Sequence, residues 1–143
     1  MTVARILAEK GHDVLTVQPH RTLKEVIDLL AARGVGAVVV ADDSMSVLGI
    51  LSERDVVRVI SRVGAAALED QASRHMTPKV TTVTRDATID HVMETMTEGR
   101  FRHMPVVEDG RLIGIVSIGD VVKRHVSAIE SERQAMREYI TAA

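Results

Sequence analysis

The pattern of apolar and polar positions predicts a helix and a buried strand early in the chain. Between residues 23 and 30, apolar side chains recur at i, i+3, i+4 and i+7, which places them on one face of a helix that Thr22 caps. Gly34 ends this helix. The uninterrupted apolar run Val35–Ala41 then predicts a strand that is buried on both faces.

Shorter elements surround these two. Thr2 is a candidate cap for a helix that ends at Lys10, and turn residues separate the buried strand from the next strand. Within the linker 65–78, residues 68–74 are able to form a short helical turn. The other elements predicted in the first half are strands at 14–17 and 47–51 and a helix at 53–63.

The second half of the chain repeats this order of elements at shifts of 66 and 65 residues (88 − 22 and 114 − 49). The shift changes because the second hairpin turn is one residue shorter than the first. The predicted elements are a strand at 80–83, a helix from Thr88, strands at 104–108 and 112–116, and a helix at 118–139. Each unit therefore reads strand, helix, strand, strand, helix.

The clearest self-match is Gly49–Arg58, which recurs as Gly114–Lys123. In both copies a short apolar strand ends in Ser, and Ser-x-x-Asp opens a helix. A three-stranded sheet with helices on one face is too small to bury its apolar surface alone. We therefore predict an α/β (α+β) fold, in which two pseudo-twofold-related β-α-β-β-α repeats, residues 1–72 and 73–143, pack sheet to sheet as one compact module.

Composition narrows the possible functions. A net charge of −2 gives no reason to expect nucleic acid or an anionic membrane as a partner. No segment suits a signal peptide or a membrane span, and the absence of Cys agrees with a reducing, cytoplasmic location. Isolated histidines predict no metal site. We find no nucleophile–base pair and no complete glycine motif for phosphate, so we expect a protein that is not an enzyme.

Aromatic side chains are scarce, since Phe101 and Tyr139 are the only two. We therefore expect a core of aliphatic side chains and methionines. A purine ligand would lie between aliphatic side chains, because the composition suggests no aromatic platform.

Four segments resemble a tandem CBS-domain pair, the Bateman module, of the stand-alone bacterial type. They are residues 34–40, 49–57, 75–78 and 102–107, and the resemblance extends from about residue 7 to residue 126. It implies that one CBS repeat carries the N-terminal helix and the other an extended C-terminal helix. It also implies a disc-like homodimer, an effector protein, and an adenosine-containing ligand between the repeats (AMP, ADP, ATP, NAD(H) or S-adenosylmethionine).

The two Ser-x-x-Asp motifs suit such a ligand. A helix N-terminus offers unpaired N–H groups and a positive dipole end to phosphate, and Ser52 or Ser117 lies at that end. Three residues further, Asp55 or Asp120 is placed to accept hydrogen bonds from a ribose diol.

Other polar and cationic residues complete the predicted nucleotide sites. Thr16 and Thr82 lie near the ends of the first strands and are candidates for contacts with base or sugar. Arg100, Arg102 and His103 precede a strand and are candidates to supply charge to phosphate. The further positions predicted at these sites are Gly36, Ala37, Arg54, Pro105, Ile118 and Gly119.

Simpler interpretations stay open. Ser-x-x-Asp is nearly a capping box, which stabilises a helix by roughly 1 kcal/mol and needs no ligand. The cations at residues 100–103 also suit a solvated turn, and the charge-rich face at 130–137 is either solvated or a docking surface. We predict a regulatory adenosine-nucleotide sensor that acts on a partner in trans, because the termini leave little room for an effector domain. The alternative is a structural or interaction module with vestigial pockets, which acts through dimerisation and the C-terminal helix.

Overall fold

The computed structural model describes residues 1–142, which form six α-helices and five strands. The helices are α1 (Val3–Lys10), α2 (Leu23–Arg33), α3 (Glu53–Val63), α4 (Ala72–His75), α5 (Ile89–Gly99) and α6 (Ile118–Ala142). The strands are β1 (Thr16–Val17), β2 (Ala37–Ala41), β3 (Val47–Ser52), β4 (His103–Glu108) and β5 (Arg111–Ser117). The predicted fold class, a mixed α/β fold of two repeats, is confirmed.

The first repeat contains a three-stranded sheet in the order β1-β2-β3. β1 and β2 are parallel across α2, whereas β2 and β3 form an antiparallel hairpin. Val38 and Val40 on one face of β2 join the core beneath α2 and α3. Val39 points to the opposite face and is also fully buried.

The strand predicted at 80–83 is wrong, because only Val83 pairs with β4, as an isolated bridge. Its N–H donates to Pro105 O at 3.0 Å. A longer parallel ladder would next need an N–H from Pro105, and proline has none. In the first repeat the corresponding bond exists, since Val39 N–H donates to Leu15 O at 2.9 Å. The second sheet is consequently a two-stranded hairpin of β4 and β5.

α1 packs against the second repeat, although it precedes the first. Its buried residues Val3, Ile6 and Leu7 belong to the core cluster built by α5, β4, β5 and the start of α6. The Val3 N–H donates to Ala87 O at 2.9 Å, which ties the beginning of the helix to the same repeat. The division predicted from the sequence assigns α1 to the first repeat, residues 1–72. The buried face of α1 instead packs in the core of the second repeat.

Several element ends differ from the sequence-based prediction. β1 and β2 begin two residues later, at Thr16 and Ala37. Instead of one short turn at 68–74, the linker contains a 3₁₀ turn at Ala65–Glu69 followed by α4. None of the helices described between residues 1 and 142 is long and apolar enough to span a membrane.

Candidate functional site

The first Ser-x-x-Asp motif joins the end of β3 to the start of α3. Ser52 Oγ accepts a hydrogen bond from the Asp55 N–H at 3.2 Å. In return, Asp55 Oδ2 accepts from the Ser52 N–H and from the Ser52 hydroxyl, both at 2.9 Å. The capping box considered from the sequence is therefore present.

The capping box leaves part of the carboxylate free. Among residues 1–142, no hydrogen-bond donor reaches Asp55 Oδ1, and the side chains of Ser52 and Asp55 are only partly buried. An ionised carboxylate has about four acceptor positions on its two oxygens. The motif can therefore cap α3 and still accept a hydrogen bond from a ribose hydroxyl, so the two interpretations are compatible.

A cavity of about 370 Å³ opens at this motif. Four parts of the chain line it: Gly36 before β2, the end of β3 with the start of α3, the segment 77–81 that leaves the linker, and residues 99–103 of the second repeat. The cavity therefore lies between the repeats, and its volume falls in the range of about 300–1,000 Å³ that is typical of small-molecule sites.

Positive charge dominates the walls of this cavity. Five cationic side chains line it: Arg54, Arg58, Lys79, Arg100 and Arg102. Within residues 1–142, none of the five forms an ion pair with a carboxylate. Two carboxylates, Glu53 and Asp55, line the same cavity, so the cations exceed them by three (5 − 2). Unpaired cations around a cavity favour an anionic ligand such as a phosphate.

Arg100 adopts a left-handed backbone conformation, with φ 57° and ψ 40°, at the end of α5. Gly34, 66 residues earlier, ends α2 in nearly the same conformation, with φ 62° and ψ 35°. Glycine adopts this region freely, whereas a residue with a Cβ is strained there. Strain of this kind concentrates at functional sites. The second repeat thus places a guanidinium at the cavity in a conformation that glycine would adopt with less strain.

His103 reaches from the start of β4 toward the first repeat. Its Nε2 lies 3.2 Å from the point that a Cβ on Gly36 would occupy, so the glycine makes room for the ring. Burial, assisted by the positive charge of Lys10, lowers the pKa of His103 below its ordinary value of 6.5. At neutral pH the lowered pKa favours the uncharged imidazole, which offers a hydrogen-bonding group where the sequence suggested positive charge.

Phe101 lines the cavity, contrary to the expectation of an exclusively aliphatic surrounding. The ring is half-buried and packs against the core of the second repeat. It also lies directly against Gly99, where a Cβ would collide with it. A phenyl ring is a suitable stacking surface for a nucleotide base. A count of aromatic residues could not show that the fold brings this ring to the cavity.

The second Ser-x-x-Asp motif, at the end of β5, repeats this geometry with a different neighbour. Ser117 Oγ accepts from the Asp120 N–H at 3.2 Å, and Asp120 Oδ2 accepts from the Ser117 N–H at 2.9 Å. The same Oδ2 also accepts a hydrogen bond from Lys10 Nζ at 2.7 Å. Burial disfavours the charged form of Asp120, but the hydrogen bonds from Lys10 and Ser117 outweigh it and lower the pKa of Asp120.

The structure brings about half of the predicted site residues together. Those that line the cavity are Gly36, Ser52, Arg54, Asp55, Arg100, Arg102 and His103. The second-motif residues Ser117, Ile118, Gly119 and Asp120 do not line it. The cavity therefore belongs to the first motif, with one wall from the second repeat.

The other predicted residues lie elsewhere. Thr16 lines a separate groove beside α2, and Ala37 and Pro105 are buried inside their strands. Thr82 is exposed, and its neighbour Thr81 lines the cavity instead. The prediction of Thr82 assumed a strand, which directs alternate side chains to the same face. Residues 80–83 do not form a strand, so this alternation does not apply and Thr81 lines the cavity.

Sequence reasoning missed the contribution of the linker. Thr77 pairs with Ile50 through two main-chain hydrogen bonds, of 2.9 and 3.1 Å, and this pairing holds Lys79 at the cavity. Helical spacing could have revealed a further cation, since Arg58 follows Arg54 by four residues on the same face of α3. Among residues 1–142, no group of three or more His, Cys, Asp or Glu side chains is arranged to hold a metal ion.

The family model described as "CBS domain" matches residues 3–62 and 72–127. The curated protein CBSX3, a mitochondrial CBS domain-containing protein of Arabidopsis thaliana, is 32% identical over 97% of this chain and 71% of its own length. An uncharacterized protein of Methanopyrus kandleri, MK0525, is 32% identical over 88% of this chain and 66% of its own length. This chain thus spans roughly two thirds of the length of these two relatives.

Solved structures of CBS-domain proteins share the fold. The protein ATU1752 of Agrobacterium tumefaciens is 48% identical with a TM-score of 0.84, covering 87% of this chain and 99% of its own. A protein with CBS domains from Burkholderia ambifaria is 37% identical with a TM-score of 0.83, covering 89% and 95%. The CBS pair of protein MJ0100, solved with 5′-methylthioadenosine and S-adenosyl-L-methionine, is 22% identical with a TM-score of 0.80, covering 90% and 98%.

Proposed function

The chain belongs to the CBS-domain family as a tandem pair of repeats, and from this we propose that it is a regulatory module that binds an adenosine nucleotide and signals to a partner protein. One observation carries the proposal. The cavity between the repeats combines five unpaired cations with a helix N-terminus and a carboxylate that has a free acceptor oxygen. This combination matches the phosphates and ribose of a nucleotide.

The walls of the cavity favour one orientation of the ligand. Arg54 and the N–H groups at the start of α3 attract phosphate, and Arg100 and Arg102 add positive charge from the facing wall. Asp55 accepts hydrogen bonds from the ribose diol. Phe101 supplies a surface for the adenine ring.

AMP, ATP and NAD(H) are the ligands that we propose, because each combines adenosine with at least one phosphate. The adenosine ligands of the MJ0100 pair support the adenosine part. The cations of this cavity favour members of the class that carry phosphate over methylthioadenosine, which has none.

Calorimetric titration of nucleotide-stripped protein with AMP, ATP, NAD and NADH tests the proposal. We expect micromolar affinity for at least one ligand, which corresponds to about −8 kcal/mol. Asp55→Ala should abolish the binding, because it removes the ribose acceptor. Asp90→Ala is the matched control, since Asp90 is an acidic residue in the first turn of α5 and does not line the cavity.

The titration also distinguishes the alternatives. Binding that survives Asp55→Ala but is lost in Asp120→Ala would move the site to the second motif. No heat with any of the four ligands at two temperatures would overturn the nucleotide proposal. It would favour the interaction module, which a specific feature supports: α6 exposes the apolar side chains of Val126, Ile129, Met136, Tyr139 and Ile140.

We place signalling in a homodimer whose arrangement responds to the ligand. A ligand shifts such an equilibrium only when it binds one arrangement more tightly than the other. Saturating nucleotide should therefore change the small-angle scattering profile of the dimer. Identical profiles with and without nucleotide would contradict this part of the proposal.

A further inference from the structure

Lys10, at the end of α1, is bound into the second Ser-x-x-Asp motif. Its Nζ donates to Asp120 Oδ2 at 2.7 Å and to Ile115 O at 3.0 Å. The first acceptor belongs to the start of α6 and the second to the end of β5, so one ammonium group joins both parts of the motif. The side chains of Lys10 and Asp120 retain only 27% and 20% of their full exposure.

At the first motif, no cationic side chain of the described residues donates to Asp55, although five cations line the adjoining cavity. Ile50 is the counterpart of Ile115 at the shift of 65 residues, and Ile50 O accepts from the Thr77 N–H at 2.9 Å. A main-chain group of the linker thus satisfies this carbonyl and does not reach Asp55. The corresponding carbonyl of each repeat thus accepts a hydrogen bond from a different kind of donor. In the first repeat the donor is a main-chain N–H, and in the second it is the Lys10 side chain, which also binds Asp120.

α1 is held in place firmly enough to keep Lys10 at the motif. Leu7 is fully buried and packs on Gly114, where a Cβ would lie 2.8 Å from Leu7 Cδ2. Beside Lys10, Glu9 accepts from Arg124 Nε at 3.0 Å, and Arg124 also donates to Asp120 O at 3.0 Å. Packing on β5 and an ion pair to α6 therefore fix both sides of the second motif.

Among residues 1–142, no donor reaches Asp120 Oδ1, as at Asp55, but the Lys10 ammonium lies 2.7 Å from Oδ2 and neutralises the charge of this carboxylate, whereas Asp55 has no ion pair. A neutralised carboxylate is a weaker acceptor for a ribose hydroxyl, and the ammonium occupies part of the space beside it. We propose that Lys10 is a built-in occupant of the second motif, which restricts each chain to one nucleotide, bound at the first motif. This inference rests on the proposed function, because it assigns the number and place of the nucleotides. It also makes the pseudo-symmetric pair functionally unequal.

The stoichiometry of AMP binding tests this inference. We expect one AMP per chain in the wild type and two per chain in Lys10→Met, which keeps the aliphatic stem and removes the ammonium. Lys24→Met is the matched control, because Lys24 also donates to an aspartate at 2.7 Å, on the surface of α2. The control should retain one AMP per chain, and thermal unfolding of each variant checks that it is folded.

A second measurement covers the case in which Lys10→Met does not fold. The amide resonance of Gly119, at the start of α6, should follow a single binding event when wild-type protein is titrated with AMP, because the Ile118 N–H donates to Arg102 O at the wall of the first site. In Lys10→Gln, which keeps a polar side chain but carries no charge, it should shift further in a second binding event.

The outcomes separate the two proposals. Two AMP per wild-type chain, one of which Asp120→Ala removes, would overturn the inference and leave the proposed function intact. One AMP in both the wild type and Lys10→Met, with no second shift of the Gly119 resonance in Lys10→Gln, would also overturn it. No AMP, ATP, NAD or NADH binding by the wild type or by Lys10→Met would instead count against the proposed function itself.

Discussion

Arg100 shows how a single residue combines strain with charge. It holds the left-handed conformation that Gly34 holds in the first repeat, and it lines the cavity. A residue with a Cβ is destabilised by about 1–2 kcal/mol in the left-handed conformation, and glycine avoids this strain. Glycine is also more flexible in the unfolded chain, which reduces the stability gained by replacing arginine with glycine by up to about 1 kcal/mol. Arginine at this position therefore lowers the stability of the fold slightly and provides a cation at the cavity.

We predict that Arg100→Gly stabilises the fold by about 0.5–1 kcal/mol and weakens AMP binding, because it relieves the strain and removes the charge. Arg100→Ala should weaken binding similarly without the gain in stability, since alanine keeps the Cβ. Urea unfolding and calorimetric titration of both variants measure the two effects. Equal stability of the two variants would show that backbone strain is not what distinguishes this position.

His103 should take up a proton when a nucleotide binds. Burial and Lys10 lower its pKa below 6.5, with Arg102 acting in the same direction and Asp120 and Glu53 opposing it. A phosphate placed nearby favours the charged imidazole and so raises this pKa again. The protonated fraction of His103 at pH 7 is then larger in the complex than in the free protein.

Titration with AMP at pH 7 in two buffers of different ionisation enthalpy counts the protons taken up. We expect a smaller uptake in His103→Gln than in the wild type, whereas the exposed His91→Gln should match the wild type. Protons released by the ligand's own phosphate are common to all three proteins, so they cancel in the comparison. Equal uptake in the wild type and His103→Gln would exclude His103 as the group that titrates.

At the scale of elements, α1 links the first residues of the chain to the core of the second repeat. Leu7→Ala should destabilise the fold by about 2–5 kcal/mol, because it empties a fully buried position. Gly114→Ala should cost about 1–3 kcal/mol by overpacking against Leu7. Together the two changes should cost less than their sum by roughly 0.5–3 kcal/mol, since the new methyl group enters the vacated space.

Denaturant unfolding of the single and double variants measures this coupling. Leu30→Ala, in the core cluster of the first repeat, provides the control. Combined with Gly114→Ala it should be additive, because the two sites do not share a core. Additivity of Leu7→Ala with Gly114→Ala would mean that α1 does not pack on β5 as described.

Local patterns predicted most helices, and their caps show why. Thr22 and Thr88 each accept a cap hydrogen bond, from the N–H of Glu25 and of His91, whereas Thr2 precedes α1 without a side-chain cap bond. The prediction of a strand at 80–83 failed for a reason that is visible in the sequence. Pro105 has no N–H and therefore cannot donate a hydrogen bond to a neighbouring strand. The hydrophobic pattern of α1 predicted a buried face but contained no information on which repeat would cover it.

The candidate site was predictable only where it is local. The Ser-x-x-Asp motifs occupy four residues each, so spacing alone located both helix starts. Lys10 and Asp120 are 110 residues apart, and Phe101 reaches the first motif from the other repeat. Such contacts depend on the packing of the repeats, which periodicity does not encode. The cations at 100–103, which have no counterpart in the first repeat, were visible in the sequence, whereas the contact of Lys10 with the second motif emerged from the structure.

At the scale of the whole molecule, α6 extends well past the core that it belongs to. Its 25 residues span about 37 Å at 1.5 Å per residue, yet Val121 is its one buried residue among those described. The exposed apolar side chains at 126, 129, 136 and 140 are spaced by three, seven and four residues, as in a coiled-coil seam. Arg133 occupies the position between them, which weakens such a seam without breaking its period.

We predict that the chain dimerises through this seam. Met136→Glu should convert the dimer to a monomer, because it places a charge at the centre of the seam, and sedimentation equilibrium measures the change. Gln134→Glu adds the same charge outside the seam and should leave the dimer unchanged. Val57, 67% exposed on α3, is the strongest competing contact point. A dimer that resists Met136→Glu but dissociates in Val57→Glu would place the interface on α3 and leave the end of α6 for a different partner.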